Sequence, residues 1–456
     1  MAPNAATVAA AASKVSSGDK AAAPGPSPQV IPELTVQVDD RLYDAVALAA
    51  FHPGGEVFVR AFAGCDASEA FLSYHRRRFP HDKLSAMVVG TQRARKPLEV
   101  DADYLELCDL VEKVLPRHKS FAPASYYVKI FVLLSVAVGL EVYMHSTATY
   151  TWQLSLTLGW LMALIGLNIQ HDANHGAVSR NPWVNRILGV TQNWIGGSAI
   201  DWIHQHVVQH HVNCNDVKHD PDIAGSDLLR LNPMRPLLAH QAGQHLYMFL
   251  MLFLFGFSIT LESLGNAIKG HHHTKFSVLF SSHRVFETLM SLVFFARWVV
   301  LPLYQVPAWS TLANVAPMFA AAGYYLAFFF IISHNFVGVH MFDRDGQVAK
   351  KQPEAAGFLY RQVASSSNVG GAWLCFLNGG LNYQIEHHLF PRIQHSHYPT
   401  IAPVVREFCK SKGLPYVHFA SVSENMASCV EHLSLLGSQL AYSQPQDLST
   451  VKSGDK

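Results

Sequence analysis

The sequence predicts an all-α, polytopic membrane core of four transmembrane helices, preceded by a small N-terminal domain of short strands and helices. Half of the 456 residues are hydrophobic and only 15% are charged, well below the roughly 25% charged residues of typical soluble domains. Several apolar runs approach the ~20 residues that cross a bilayer. The chain is also longer than the ~250 to 300 residues at which a single hydrophobic core stops growing, so we expect more than one domain.

Composition excludes one class of function and directs attention to histidine. A formal net charge of +1 provides no basic surface of the kind that binds nucleic acid, so no nucleic-acid partner is expected. The six cysteines are scattered without a CxxC spacing and are interpreted as reduced, structural thiols. Histidine occurs 26 times, often in short clusters. We therefore expect histidine to carry the chemistry.

Five apolar runs are candidates for the membrane core, at residues 126–145, 150–169, 246–267, 286–306 and 311–333. The histidine clusters that begin near residues 171, 204 and 384 must face one side to form one site, so an even number of crossings must separate them. The run at 246–267 is predicted to lie along the membrane or re-enter it, because a crossing would place Lys269, Lys275 and Arg284 outside. Four spans remain as two hairpins, with the clusters and the N-terminal domain in the cytosol.

The chain divides into five predicted segments. The first is rich in Ala, Ser and Pro, is expected to be disordered, and lacks the apolar stretch of a secretory signal. Apolar residues recur every three or four positions from Asp101 to Leu115, which predicts an amphipathic helix that leads to the bilayer. The segments are a disordered N-terminus at 1–32, a small domain at 33–92, a linker and amphipathic helix at 93–125, a membrane domain at 126–430 and a flexible tail at 431–456.

Two histidines of the small domain have the setting of haem ligands. Pro53, Gly54 and Gly55 allow a sharp turn that presents the imidazole of His52, and His75 follows an apolar stretch farther along. A haem iron with two imidazole ligands needs one histidine on each side of an apolar slot, and this ligation suits electron transfer. His81 is a competing second ligand, disfavoured because it follows a proline and a basic run.

Three histidine clusters adjoin the predicted spans. A separation of four residues places two imidazoles on one helix face, and an adjacent pair adds a second direction. Imidazole suits several metals, but the clusters exceed what one four-coordinate zinc ion can use and fit two metals with open positions. The predicted metal ligands of the clusters are His171, His175, His206, His210, His211, Gln384, His387 and His388.

Other polar side chains near the clusters are expected to support the metal ligands or to lie outside the site. His334, at the cytosolic end of a predicted span, is a plausible additional metal ligand. Asp172 and Glu386 are expected to accept the second ring N–H of a ligand histidine. His204 and His219 are weaker candidates for such an outer position. The remaining histidines near the clusters are expected in a solvated loop, at His271, His272 and His273, or at the surface, at His395 and His397.

These motifs together resemble the front-end branch of the membrane fatty acid desaturase family, in which a cytochrome b5 domain is fused at the N-terminus. The segment from His52 to His75 resembles cytochrome b5, and Gln384 matches the glutamine that begins the third histidine box of these enzymes. The resemblance covers roughly residues 35–430. It implies an all-α polytopic desaturase core of four transmembrane helices with a cytosolic helical cap, joined to a small α+β cytochrome b5-like domain.

The resemblance also implies cofactors, partners and a location. Two iron ions would form a di-iron centre, and haem b would bind between His52 and His75. The enzyme would use O2, a fatty acyl lipid or acyl-CoA substrate, and electrons from NADH-cytochrome b5 reductase. It would be a multi-pass protein of the endoplasmic reticulum membrane, with the haem domain and the histidine boxes in the cytosol.

Shorter motifs narrow the substrate. The segments Trp194–Gly197, Phe330–Phe336 and Ser366–Gly371 are similar to those of haptophyte delta-4 desaturases, which convert docosapentaenoic to docosahexaenoic acyl groups. Delta-5 desaturation of C20 chains is the alternative within the family. A histidine-box fatty acyl hydroxylase, a membrane-tethered haem electron carrier and a metal transporter are the other readings. The carrier leaves three clusters without a purpose, and the transporter needs ligands inside the spans.

Overall fold

The computed structural model describes residues 30–92, 102–225, 227–269, 283–344 and 357–438. Helices dominate these residues, and a few short strands lie near the N-terminus. This confirms the predicted fold class of a helical membrane core with a small α+β domain. Residues 1–29 of the predicted disordered segment, most of the predicted linker, His271, His272 and His273, and residues 439–456 of the predicted tail lie outside the described residues.

The N-terminal domain combines a three-stranded antiparallel sheet, in the order β1-β2-β3, with three short helices. Asp44 caps the first helix, because its carboxylate accepts hydrogen bonds from the amides of Val46 and Ala47 at 2.8 and 3.0 Å. His52 and His75 each stand at a helix end, after α1 and at the last residue of α3. The elements are β1 Thr35–Val38, β2 Arg41–Asp44, α1 Ala45–Phe51, α2 Glu56–Ala61, α3 Ser68–His75 and β3 Val88–Thr91.

Five helical stretches are long and apolar enough to cross a membrane, among the residues the structure describes. The predicted amphipathic helix precedes them as α4, Ala102–Val114, and buries Tyr104, Leu107 and Val111. Two of the five stretches contain a π-helical segment. The elements are α5 Ala124–Ser146, α6 Trp152–Ile165 with the π-helix Gly166–Gln170, and then, after the cap helices α7 to α12, α13 Gln244–Lys269, α14 Arg284–Phe295, the π-helix Ala296–Val300, α15 Leu301–Gln305 and α16 Trp309–His334.

The apolar helix at 246–267 has both of its ends near the histidine side of the protein. Near its start, the side-chain amide of Gln244 donates to the carbonyl oxygen of Leu433 at 2.9 Å. Near its end, the side chain of Asn266 donates to the carboxylate of Asp201 at 3.3 Å. Asp201 lies just before the second histidine cluster in the chain. Between these contacts the helix crosses α16 at the Gly256–Gly323 contact, where neither backbone leaves room for a Cβ.

Short helices that follow α6 and α16 in the chain form the cap that holds the histidine clusters. A two-stranded parallel sheet, β4 with β5, ties its C-terminal half together. The cap elements are α7 His171–Asn174, α8 Pro182–Gly189, α9 Thr191–Trp194, α10 Ala199–Trp202, the π-helix Ile203–His210, α11 His211–Asn213, α12 Pro221–Ala224, α17 Phe358–Ala364, β4 Ser367–Val369, α18 Ala372–Asn378, α19 Gln384–Leu389, α20 Tyr398–Ser411, β5 Val417–Phe419 and α21 Val422–Leu436.

The C-terminal helix extends beyond residue 430, where we expected a flexible tail to begin. Helix α21 continues to Leu436, and His432, Leu433 and Leu436 are buried. Leu433 and Leu436 pack in a cluster with Phe329 and Ile332 of α16. The predicted boundary was too early, because the polar residues Glu431, His432 and Ser434 obscure the helical spacing of the buried apolar residues Cys429, Leu433 and Leu436.

Packing of α6 on α16 depends on Gly159, which leads to the first prediction. A Cβ at Gly159 would overlap the backbone of Met318, whereas a Cβ at Gly139, on α5, would meet nothing within 4 Å. We expect Gly159→Val to destabilise the protein by about 1–3 kcal/mol through overpacking, and Gly139→Val to have little effect. Thermal unfolding of both variants in detergent, followed by size-exclusion chromatography, measures the difference. Equal stability of the two variants would contradict this packing.

Candidate metal centre and haem site

Two groups of buried side chains could each hold a metal ion, among the residues the structure describes. Within each group, the ligand atoms all lie within 4.8 Å of one another. The first group draws on all three histidine clusters, and the second adds the end of α16. The first group is His171, His175, His206 and His387, and the second is His210, Cys214, His334 and His388.

His211 and Gln384 complete the cluster. The ring of His211 lies 4.7 Å from that of His387, in the first group, and 4.4 Å from that of His388, in the second, so it stands between the groups. The side-chain amide of Gln384 lies 2.9 Å from Nε2 of His334. The structure therefore brings together all nine side chains that the sequence analysis proposed as metal ligands.

A π-helix shapes the second histidine cluster, which differs from our expectation of α-helical spacing. In Ile203–His210 the backbone bonds run from i to i+5, and the amide of His211 donates to the carbonyl of His206. Residues five apart are therefore neighbours, and the Nε2 atoms of His206 and His211 lie 3.1 Å apart. The first cluster also begins where a π-helix, Gly166–Gln170, ends. Both departures from α-helix aim side chains at the site.

Hydrogen bonds at the outer nitrogen orient five of the imidazoles. In each, Nδ1 faces a protein oxygen, which leaves Nε2 directed toward the centre of the cluster. Only neutral imidazole nitrogens can bind a metal, so a fixed Nδ1–H defines which nitrogen is available. The pairs are His175 with the Tyr74 hydroxyl at 2.7 Å, His210 with Asp220 at 3.1 Å, His334 with the Ser365 carbonyl at 2.9 Å, His387 with the Tyr398 hydroxyl at 3.1 Å, and His388 with the Gln362 amide oxygen at 2.9 Å.

Burial controls the protonation of the cluster. It lowers the pKa of His206, His211, His387 and His388 well below the usual value, so these imidazoles are neutral at physiological pH. His210 differs: burial also acts to lower its pKa, but the carboxylates of Asp220 and Asp222 outweigh burial and raise the pKa to about 9. Neutral imidazoles suit a metal, and a carboxylate behind a ligand histidine strengthens its donor nitrogen.

Two acidic side chains differ from their expected roles. Asp172 pairs with Nδ1 of His395 at 2.6 Å, and its carboxylate lies 3.8 Å from Nδ1 of His171. His395 is therefore beside the cluster, and it is buried rather than at the surface. Glu386 accepts hydrogen bonds from Asn368 and Tyr416, not from an imidazole. The carboxylates behind His210 are those of Asp220 and Asp222, which lie 3.1 and 3.3 Å from its Nδ1.

Two weaker histidine candidates stay outside the groups described above. His204 is buried and His219 is partly buried, but neither belongs to a group of possible metal ligands in the described part of the chain. His397, expected at the surface, is partly buried and donates from Nε2 to the carbonyl oxygen of Phe121 at 2.9 Å.

His52 and His75 face each other in the N-terminal domain. Their ring centroids are 5.9 Å apart, which suits two imidazoles that share one metal with bonds of about 2 Å each. Nδ1 of His52 donates to the carbonyl of Gly55 at 2.8 Å, and Nδ1 of His75 to that of Phe71 at 3.1 Å. Burial lowers the pKa of His75 to about 3. Gly55 adopts φ +88°, which favours glycine and forms the expected turn.

His81, the alternative second haem ligand, is engaged elsewhere. Its Nδ1 lies 2.7 Å from the hydroxyl of Tyr43, and its Nε2 lies 2.7 Å from the carboxylate of Asp39. Both ring nitrogens therefore have protein partners within the N-terminal domain.

Comparisons with known proteins match both parts of the chain. A family model described as fatty acid desaturase matches residues 147–420, and one described as cytochrome b5-like heme/steroid binding domain matches residues 32–93. An acyl-lipid (7-3)-desaturase of Rebecca salina is 44% identical, over 89% of this chain and 91% of the relative. The protein of the same name from Diacronema lutheri is 44% identical over 90% and 91%.

The chain belongs to the fatty acid desaturase family. A chloroplastic acyl-lipid (7-3)-desaturase of Chlamydomonas reinhardtii, 30% identical over 87% of this chain and 79% of the relative, agrees with this assignment. The predicted resemblance and the predicted enzyme class are thereby confirmed: this desaturase is an oxidoreductase, a front-end acyl-lipid desaturase and a membrane protein.

The side chains of the cluster fit the metals that this family implies. Several buried atoms that face the cluster have no hydrogen-bond partner within the described residues, and a buried polar atom left in that state costs about 1–3 kcal/mol. A bound metal would satisfy them. These atoms include Nε2 of His171, His175, His210 and His387.

Replacing a cluster histidine should remove metal without removing haem. We expect His206→Ala to lose most of the non-haem iron, because His206 adjoins both groups, and to keep the haem absorption band, because His52 and His75 are unchanged. His397→Ala is the matched control and should keep its iron. Iron per haem, measured by atomic emission on purified protein, separates the two variants. Full iron content in His206→Ala would remove this residue from the site.

Proposed function

We propose that this desaturase introduces a cis double bond at carbon 4 of very long polyunsaturated acyl chains, and that it converts docosapentaenoic to docosahexaenoic acyl groups. The observation that carries the proposal is the buried cluster of eight imidazoles and one amide at the end of apolar helices. The three relatives, all named (7-3)-desaturases, support the position, which we take as carbon 4. Their names also begin with acyl-lipid, which supports a lipid rather than acyl-CoA as the acyl carrier.

We assign the site residues as follows. Haem b would bind between His52 and His75 of a domain at residues 33–92. Two iron ions would bind in the membrane domain, which we propose to span residues 126 to about 436. The ligands of the iron pair would be His171, His175, His206, His210, His211, His334, Gln384, His387 and His388.

The amide of Gln384 is proposed to turn its oxygen toward the metal. Oxygen and nitrogen of a side-chain amide are distinguished only through their surroundings. The neighbours of the Gln384 amide nitrogen are Nε2 of His334 and Nε2 of His388, at 2.9 and 3.3 Å. When both nitrogens bind metal, neither accepts a hydrogen bond, so the oxygen is the atom that suits this position.

The residues of the chain position the acyl substrate and exclude water from the metal site. With iron bound, the centre supplies the oxidation of unactivated C–H bonds by O2. The chain buries every proposed ligand, which keeps bulk water from the oxidant. A cavity lined mainly by apolar side chains, including Met162, Met318 and Leu326, lies between α6, α13 and α16. Leu326 is eight residues before His334, about 12 Å along the helix, so the cavity suits part of the acyl chain.

NADH-cytochrome b5 reductase is the proposed electron donor to the haem domain, and the endoplasmic reticulum membrane the proposed location. We propose four spans, with α13 lying within the cytosolic half of the membrane. The support is that both ends of α13 contact elements on the histidine side, near Leu433 and Asp201. The turn between α15 and α16 would then face the lumen.

Product analysis tests the substrate. The desaturase is expressed in yeast that is fed C22 and C20 polyunsaturated acids separately, and gas chromatography with mass spectrometry locates new double bonds. We expect a bond at carbon 4 of the C22 chain, because the carboxyl end of the chain must lie near the iron ligands. A bond at carbon 5 of the C20 chain would replace our substrate with the delta-5 alternative, and a hydroxylated product would contradict desaturation.

Cysteine labelling tests the topology. Ile268, near the end of α13, and Tyr304, at the end of α15, are 69% and 84% exposed. With α13 confined to the cytosolic side, Ile268→Cys should react with an impermeant maleimide added to sealed microsomes, and Tyr304→Cys should react only after the membrane is opened. Most native cysteines are buried, so background labelling is low. Protection of both positions in sealed microsomes would show that α13 crosses.

A further inference from the structure

The haem domain packs directly on the desaturase region. One hydrophobic cluster joins Val59 and Ala70 of the haem domain to Ile200, Ile203 and Val207, which precede or belong to the second histidine cluster. At a second place, a side chain at Gly55 would lie 3.0 Å from Pro182, so the backbone of the haem-binding turn approaches the desaturase region closely. The contact therefore involves the same elements that present His52 and the metal cluster.

Partly buried charges hold the two parts in one orientation. Glu69, on α3, pairs with Arg361 at 2.5 Å and with Arg344 at 3.3 Å. The guanidinium of Arg344 also donates to the carbonyl of Val212 and to the side chain of Asn213, at 2.9 and 2.8 Å. These two residues directly follow the second histidine cluster. Three partly buried charged side chains thus fix α3 against the backbone that carries His210 and His211.

Tyr74 reaches from the haem domain into the metal site. It precedes His75, the proposed haem ligand, on α3. Its hydroxyl lies 2.7 Å from Nδ1 of His175, and its ring packs against Phe58 with centroids 5.8 Å apart. Phe58 in turn rests on Gly176, where a Cβ would lie 3.1 Å from the Phe58 ring.

We propose that Tyr74 is a positioning residue of the metal centre, so that the haem domain supplies part of the hydrogen-bonded shell around the iron ligands. When Nε2 of His175 binds metal, Nδ1 keeps its proton and donates it to the Tyr74 oxygen, which fixes the ring. The partners of His210, His334, His387 and His388 all come from the desaturase region. This inference rests on the proposed ligands of the haem and of the iron pair.

The same contact connects the two redox sites through few atoms. From His75, the path to His175 is one peptide link, the Tyr74 side chain and one hydrogen bond. Each double bond removes two hydrogen atoms from the substrate, while two electrons from the haem and two protons from solution complete the reduction of O2 to two water molecules. A haem held by His52 and His75 would supply these electrons one at a time, so a fixed short path through Tyr74 would be used twice in each turnover.

The test removes one hydroxyl and keeps the ring. Tyr74→Phe loses the hydrogen bond to His175 but retains the contact with Phe58. Tyr43→Phe is the matched control, because the Tyr43 hydroxyl also meets an imidazole, Nδ1 of His81 at 2.7 Å, and His81 is not one of the proposed metal ligands. Both purified full-length variants are measured for haem absorption, for non-haem iron per haem, and for the rate at which reduced haem is reoxidised in air with substrate.

We expect Tyr74→Phe to keep its haem spectrum while its iron affinity, its haem reoxidation rate or both fall by about 10–100-fold, the usual effect of losing an outer partner of a metal ligand. Tyr43→Phe should match the wild type in iron content and reoxidation. Wild-type iron content and reoxidation in Tyr74→Phe would overturn the inference. Failure of the proposed function looks different, because the wild-type protein itself would then lack non-haem iron or form no desaturated product.

Discussion

The structure of this desaturase depends on one constraint: nine polar side chains must be buried together at the end of apolar helices. Burial disfavours the charged form of an imidazole, and unpaired buried nitrogens are costly unless a ligand satisfies them. Nε2 of His175, His210 and His387 has no protein partner, whereas Nδ1 of each of these residues faces a protein oxygen. A pair of bound metals would resolve this conflict, and the surrounding fold would then be the scaffold that holds the imidazoles for them.

Several unusual features of the fold follow from this constraint. The π-helix of the second cluster brings His206 and His211 together, which an α-helix would place farther apart. The haem domain, for its part, is more than a tethered electron donor, since Glu69 and Tyr74 connect it to the segments that carry the cluster. Electron delivery and metal positioning would then share one interface.

Sequence reasoning succeeded for features that depend on the spacing of residues close together in the chain. The histidine boxes, the His52 turn and the membrane helices were all predicted, because each depends on residues close together in the chain. It failed for contacts between distant segments. Tyr74 and His175 are 101 positions apart, and Asp172 and His395 are 223 apart, so no local pattern links them. The π-helical geometry was also missed, since His206, His210 and His211 equally fit an α-helical spacing.

The central claim is that the cluster holds two iron ions beside a haem in the same chain. Its most direct test is metal analysis of the purified wild-type protein, combined with Mössbauer spectroscopy of protein grown on isotope-enriched iron. The account predicts two non-haem iron ions and one haem iron per chain, with the non-haem pair in sites rich in nitrogen ligands. A single non-haem metal per chain, or zinc in place of iron, would contradict it.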